Sequence, residues 1–202
     1  MYAFITFVML ISNLMKQLFV FVCLGLIFLS SCVNHSHSKV KAVSPRIETR
    51  HFDHDFFGMD SVNFDDDLLI LMKQYPDFFK IGMNHAILKT RFFDNEIREL
   101  YMAVDSTFSN TKELDAEIHR AFQYYYHHFE NHDSLKIYTW VSNFERLDPI
   151  LVSQNTLLIS LDMYLGSDSH FYKTAPDYIK QRFDKMYILS DLFRSYFSSN
   201  IP

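Results

Sequence analysis

The chain carries the sequence LLISLDMYLG at residues 157–166, where its clearest strand pattern lies. Side chains alternate from Leu157 to Met163 with a period of two, which is the period of a β-strand. One face of this strand is apolar throughout, whereas the other face turns polar at Ser160 and Asp162. This pattern predicts a strand in a sheet that is covered on one side only.

A second strand is predicted at residues 136–141. Its sequence, KIYTWV, is rich in the β-branched and aromatic residues that are enriched in strands. Most other periodic segments of the chain repeat their apolar residues at helical spacing. We therefore predict a helix-rich α+β fold with a small sheet that includes strands near 136–141 and 157–163.

Three segments before the first of these strands have helical periodicity. They are a helix that begins at Asp65–Asp67 and ends before Pro76, a helix over 94–108 capped by Asp94, and a helix from Asn110 or Thr111 to His128. Asn110 and Glu113 resemble a capping box. After the strands, Pro176 begins a helical region that carries Met186, and Ser190 begins a further helix.

The first 31 residues differ sharply from the rest of the chain. Lys16 is their only charged residue, whereas the whole chain holds 19 basic and 24 acidic residues and has a net charge of −5. The acidic balance argues against a general nucleic-acid binder, which needs a basic face to neutralise phosphates. The remaining length fits a single domain with a sizeable core.

Residues 15–32 have the pattern of a bacterial lipoprotein signal. Met15-Lys16-Gln17 precede an apolar core, and the sequence LSSC at residues 29–32 resembles a lipobox. This resemblance implies cleavage after Ser31 and lipid attachment to Cys32. We expect a signal peptide at 1–31, of which 15–31 is the real one, and a lipid-anchored flexible tether at 32–45. The alternatives are an uncleaved membrane helix and a buried cysteine.

No motif in the sequence predicts catalysis, a cofactor or a metal site. The zinc-peptidase motif His-Glu-x-x-His, a nucleophile elbow and a glycine-rich phosphate loop are all absent. His128 and His132 have helical spacing, but Glu130 between them is in the wrong order and a third ligand cannot be placed. A structural role is the better interpretation, and a metal-dependent hydrolase with an unrecognised site is the alternative function.

The segment at the end of the predicted strand 157–163, with the loop that follows it, is the candidate site for a partner or ligand. It passes from the strand into a glycine turn that carries polar and aromatic groups, and loops carry a large share of functional residues. The candidate residues are Asp162, Tyr164, Gly166, Asp168 and Tyr172. The alternative is an ordinary strand end with its connecting loop.

Several segments together resemble the gliding-motility lipoprotein family GldB of Bacteroidetes-type bacteria. Besides Cys32, they are RHFDHDFF at 50–57, KQYPDFF at 73–79, AFQYYYHHF at 121–129, VSNF at 141–144, LDMYLG at 161–166 with Asp168, Ser169 and Tyr172, and APDYI at 175–179. The match is collinear and covers residues 46–190. LDMYLG is its most specific segment.

The resemblance implies an envelope lipoprotein required for gliding motility and linked to the type IX secretion apparatus. It implies a non-catalytic role in contact with other envelope proteins, and a distant zincin-like relationship to predicted zinc peptidases. Val33 in place of Asp after Cys32 suggests the outer membrane, by analogy with lipoprotein sorting. No acidic run follows Cys32, which favours the periplasmic side over the cell surface. Family members continue past the position of Pro202, so we expect 46–202 to be a single domain that is incomplete at its C-terminus.

Overall fold

One mixed sheet of four strands lies in residues 46–129, 134–146 and 148–200, which the computed structural model describes. The strands are β1 (Ile47–His51), β2 (Leu135–Trp140), β3 (Ile150–Ser153) and β4 (Thr156–Ser160). Their order across the sheet is β1-β2-β4-β3; β1, β2 and β4 run parallel, and β3 runs antiparallel to β4. The carboxyl ends of the three parallel strands therefore meet at one end of the sheet, where open α/β sheets place their sites.

Eight α-helices accompany this sheet in the described residues. They are α1 (Phe52–Phe57), α2 (Phe64–Gln74), α3 (Pro76–Phe79), α4 (His85–Phe93), α5 (Asn95–Thr107), α6 (Thr111–His128), α7 (Asp177–Lys180) and α8 (Ile188–Asn200). Three 3-10 turns lie at Leu161–Tyr164, His170–Tyr172 and Lys185–Tyr187. The predicted helix-rich α+β fold, with strands near 136–141 and 157–163, is confirmed.

The two strands at the edges of the sheet were not predicted. In β1 only Ile47 is strongly apolar, so the alternation that marks a half-buried strand is missing. Residues 150–153 directly follow Pro149, and this proline favoured a loop. Both segments become strands because they pair with β2 and β4.

The expectation that the sheet is covered on one side only is wrong. All five residues of β4 are buried, and five of the six residues of β2 are buried. The polar positions fit inside the protein because their groups find partners there: Trp140 donates its indole N–H to the Ser160 hydroxyl over 3.1 Å. The predicted strand also ends early, at Ser160, and residues 161–164 form a 3-10 turn instead.

The three predicted helices, which lie between β1 and β2 in the chain, follow the prediction closely. The three aspartates at 65–67 lie in the first turn of α2, which ends at Gln74 before Pro76. The Asp94 carboxylate caps α5 by accepting hydrogen bonds from the N–H groups of Glu96 and Ile97. The capping box at Asn110 is wrong, because the Asn110 side chain makes no capping hydrogen bond to α6.

The single helical region predicted from Pro176 through Met186 is wrong. After the four residues of α7 the chain makes a turn at residues 181–182, and Asp184 then forms a bridge with Leu165. The N–H of Gly166 donates to the carbonyl of Phe183 over 2.7 Å. These bonds pull residues 183–184 out of helical geometry and leave Met186 exposed, so the final helix begins at Ile188.

Aromatic side chains fill much of the core. Phe52 of α1 stacks on Phe78 of α3 at 3.8 Å between ring centroids. Phe122 of α6 packs against Phe193 of α8 at 4.6 Å, and Leu192 of α8 is fully buried. The apolar stripe of α8 is therefore covered by α6 and by the neighbouring sheet.

The predicted signal peptide, Cys32, the tether and His132 lie outside the described residues. Among the helices that are described, none is long and apolar enough to cross a bilayer.

Phe122 and Tyr124 provide a test of this packing on one helix. Phe122 is fully buried, whereas Tyr124 is 45% exposed. We expect Phe122→Ala to lower the free energy of unfolding by about 3–5 kcal/mol, because it leaves a cavity in the core. Tyr124→Ala should cost no more than about 0.5–1 kcal/mol. Urea unfolding measures both; equal losses would contradict the packing of α6 against α8.

Candidate functional site

Asp162 is fully buried at the carboxyl ends of β2 and β4. Its Oδ1 accepts the backbone N–H of Ser142 over 2.7 Å. Its Oδ2 accepts the Ser142 hydroxyl over 2.9 Å and the N–H of Phe144 over 3.1 Å. The first residue of the candidate loop therefore joins the segment after β4 to the segment after β2.

The bonds to Asp162 hold a strained segment of backbone. Asn143 and Phe144 have φ angles of 59° and 55°, in the left-handed region that non-glycine residues rarely adopt. Each such residue costs roughly 1–3 kcal/mol and persists only where its surroundings fix it. Burial raises the pKa of Asp162, whereas its hydrogen bonds to Ser142 and Phe144 act in the opposite direction.

Tyr172 closes the loop from its other side. Its hydroxyl donates to the carbonyl of Asp162 over 2.5 Å and accepts the N–H of Leu165 over 3.0 Å. Gly166 has a φ angle of +94°, which glycine adopts without strain, and makes the turn between them. Three of the predicted site residues, Asp162, Gly166 and Tyr172, thus determine the shape of the loop.

Tyr164 connects this loop to α8. Its buried hydroxyl donates to Oδ2 of Asp191 over 3.0 Å. Oδ1 of the same carboxylate accepts a hydrogen bond from Arg182 over 3.1 Å and forms an ion pair with Arg194 at 2.8 Å. Of the predicted residues, Asp168 alone is exposed and stands apart from these bonds.

A groove of about 650 Å³ lies beside this arrangement. One wall is the edge strand β3, and the others are the segment around α7 and the exposed side of α8. Lining side chains include Val152, Met163, Tyr178, Arg182 and Arg194. Both arginine side chains are about half exposed, at 55% and 51%, so their free N–H groups face the groove while buried Asp191 fixes their position.

A second polar cluster lies at the carboxyl end of β1. His51 Nδ1 is 3.0 Å from the Thr139 hydroxyl, and His51 Nε2 is 3.2 Å from both carboxylate oxygens of Asp115. The Thr139 hydroxyl in turn donates to Asp53. Burial raises the pKa of Asp53. Thr139 is fully buried, so this chain of hydrogen bonds serves to join α6, β1, β2 and α1.

Arg50, Asp55 and Tyr75 extend the cluster to the surface. The Arg50 guanidinium lies 4.1 Å from the centroid of the Tyr75 ring, and the Tyr75 hydroxyl donates to Asp55 over 2.5 Å. Burial and the bond to Asp55 raise the pKa of Tyr75. No group of three or more His, Cys, Asp or Glu side chains in the described parts of the chain is arranged to hold a metal ion.

A family model described as "Gliding motility protein GldB" matches residues 33–202. The chain belongs to the GldB family. This match confirms the family that the sequence resembles, and the name of the model, GldB_lipo, fits a lipoprotein of the envelope. Comparison with curated proteins and with solved structures gave no match. The distant zincin-like relationship and the hydrolase alternative stay predictions.

The segments that carry the GldB resemblance meet in pairs in the fold. The 141–144 segment joins the 161–166 segment through Asp162. The 50–57 segment joins the 73–79 segment through Asp55 and Tyr75. Sequence reasoning did not single out Ser142, Arg182 and Asp191 as site residues. Ser142 lies in the VSNF segment of the resemblance, whereas Arg182 and Asp191 lie in none of its segments.

Replacing Asp162 tests whether it holds the loop. In Asp162→Asn one of the two oxygens becomes an NH2 group, so at least one donor of Ser142 or Phe144 loses its acceptor. We expect the free energy of unfolding to fall by about 2–3 kcal/mol and the amides of residues 142–144 to exchange faster with deuterium. Asp168→Asn, at the exposed end of the same loop, should change the free energy of unfolding by less than about 0.5 kcal/mol.

Two outcomes would contradict this assignment. One is equal stability of the Asp162→Asn and Asp168→Asn proteins in urea unfolding. The other is unchanged amide exchange at residues 142–144 in the Asp162→Asn protein.

Proposed function

We propose that this GldB-family protein is an envelope lipoprotein required for gliding motility that acts by binding other envelope proteins, without catalysis. The observation that carries the proposal is how the loop uses its polar groups. The side chains of Asp162, Tyr164 and Tyr172 form hydrogen bonds with other residues of the protein. The loop therefore works as a support, and the surface that it supports is the groove beside it.

The groove suits a protein partner better than a small substrate. It combines the apolar side chains of β3 with two half-exposed arginines on one buried carboxylate. Because two guanidinium groups share a single Asp191, that wall carries an excess positive charge. We expect the bound segment of the partner to present apolar side chains and at least one carboxylate, and we place the partner in the gliding and type IX secretion apparatus.

The lipid anchor on Cys32 is part of the same proposal. The lipobox-like LSSC sequence ends at Cys32, and the family match begins at the next residue, 33. A mature chain that starts at Cys32 agrees with both observations. We propose an outer-membrane location that faces the periplasm, where the groove can reach other envelope proteins.

Tyr178 allows a test that leaves the core intact. It lines the groove and is 74% exposed. Tyr178→Asp places a negative charge opposite the carboxylate that we expect on the partner, so cells with this variant should lose gliding. Met102 on α5 is 61% exposed and lies outside the groove, so Met102→Asp is the matched control and should glide normally.

The readouts are colony spreading, single-cell gliding and the thermal melt of each purified protein. The proposal requires lost gliding with an unchanged melt for Tyr178→Asp. Normal gliding of the Tyr178→Asp cells would refute the groove as the partner surface.

A further inference from the structure

An uncharged aromatic surface covers one end of the domain. Residues 121–129 and 195–200 contain no Asp, Glu, Lys or Arg, although 21% of the chain is charged. Aromatic rings of these two segments and Phe193 contact one another, and we call this surface the aromatic end; it consists of Tyr125, Phe129, Phe193 and Phe197. Tyr125 is its centre, with ring centroids 4.7 Å from Phe129 and 5.4 Å from Phe197.

The aromatic end is partly open to its surroundings. Phe129 is 54% exposed, while Tyr125, Phe193 and Phe197 are half-buried. Contiguous exposed apolar surface of this kind marks a contact with protein or membrane. Tyrosine rings suit the boundary between lipid and water, because the ring is apolar and the hydroxyl is polar.

The aromatic end lies where the chain enters the domain from the tether. The carbonyl of Arg46, just before β1, accepts the N–H of Leu135 over 2.9 Å and the Ser134 hydroxyl over 3.3 Å. Phe129 directly follows α6 and lies only five residues before Ser134, so the chain between them spans at most about 17 Å. The start of β1 and the aromatic end therefore share one end of the domain.

The number of residues between Cys32 and the domain limits how far this end can lie from a lipid on Cys32. Cys32 precedes Arg46 by 14 residues, and such a stretch reaches at most about 50 Å when fully extended. A lipid anchor gives the domain a high local concentration at the bilayer, where even a weak second contact is populated. The part of the domain with the shortest route to the bilayer is the end at which the chain enters.

We propose that the aromatic end docks on the lipid interface of the membrane that holds the Cys32 lipid. The inference rests on the lipid anchor proposed above. It assigns the aromatic end to lipid and leaves the groove beside α8 to the protein partner. Docking would also limit rotation of the domain about its tether and so fix the direction in which the groove faces.

The chain offers a simple way to measure this contact. Its two cysteines are Cys23, in the signal peptide, and Cys32, the lipid site, so an introduced cysteine is the single free thiol of the mature protein. The full-length mature protein, extracted from cell membranes, is reconstituted in phosphatidylethanolamine–phosphatidylglycerol vesicles. A bimane label is placed at Phe129→Cys, or at Phe197→Cys as a second site, and quenching by brominated acyl chains is recorded.

Ser109→Cys is the matched control position. Ser109 is exposed and lies two residues before α6, at the end of this helix that is opposite to Phe129. The 18 residues of α6 span about 27 Å. We expect several-fold stronger quenching at Phe129→Cys and Phe197→Cys than at Ser109→Cys. Adding Tyr125→Asp to the Phe129→Cys protein should abolish this difference, because a carboxylate is costly to move into the acyl region of the bilayer.

The outcomes separate the docking from the anchor. Protein that floats with the vesicles but is quenched equally at all three positions would overturn the docking alone. Protein that fails to float would remove the lipid anchor and the docking with it. Signals that follow protein concentration and not bromination would assign the aromatic end to a second copy of the chain, which also overturns the proposal.

Discussion

The buried carboxylate of Asp162 is the contact on which the candidate site depends. It ties the end of β4 to the end of β2 through three hydrogen bonds and holds Asn143 and Phe144 in left-handed conformations. A buried carboxylate is costly unless its oxygens find donors. The same bonds that satisfy Asp162 therefore stabilise the backbone of the neighbouring loop, and Tyr172 secures the segment that follows.

The loop also fixes the positions of two side chains at the surface. Tyr164 follows Asp162 by two residues and reaches Asp191 on α8, which in turn positions Arg182 and Arg194. A hydroxyl and two guanidinium groups share one carboxylate, so the arginines are fixed before any partner arrives. Preorganisation of this kind lowers the entropic cost of binding. The LDMYLG segment thus supports the groove that we propose as a binding surface.

The sequence predicts the elements whose patterns are local. The alternation at 157–163 and the Asp94 cap both depend on neighbouring residues, and both elements form, although the strand ends at Ser160. β1 could not be predicted, because its polar residues become a strand only through pairing with β2. Asp162, Tyr164, Gly166, Asp168 and Tyr172 lie in the segment that follows β4, and their role in binding stays a prediction. Their hydrogen bonds to Ser142 and Asp191 depend on tertiary contacts that no spacing reveals.

The central claim is that the surface beside this loop, and not the buried motif itself, meets a partner. A photo-crosslinking amino acid at Tyr178, introduced in gliding cells, tests it most directly, with Met102 as the comparison position. The account predicts a discrete adduct with an envelope protein from Tyr178 and none from Met102. Equal crosslinking at the two positions, or none at Tyr178, would contradict it.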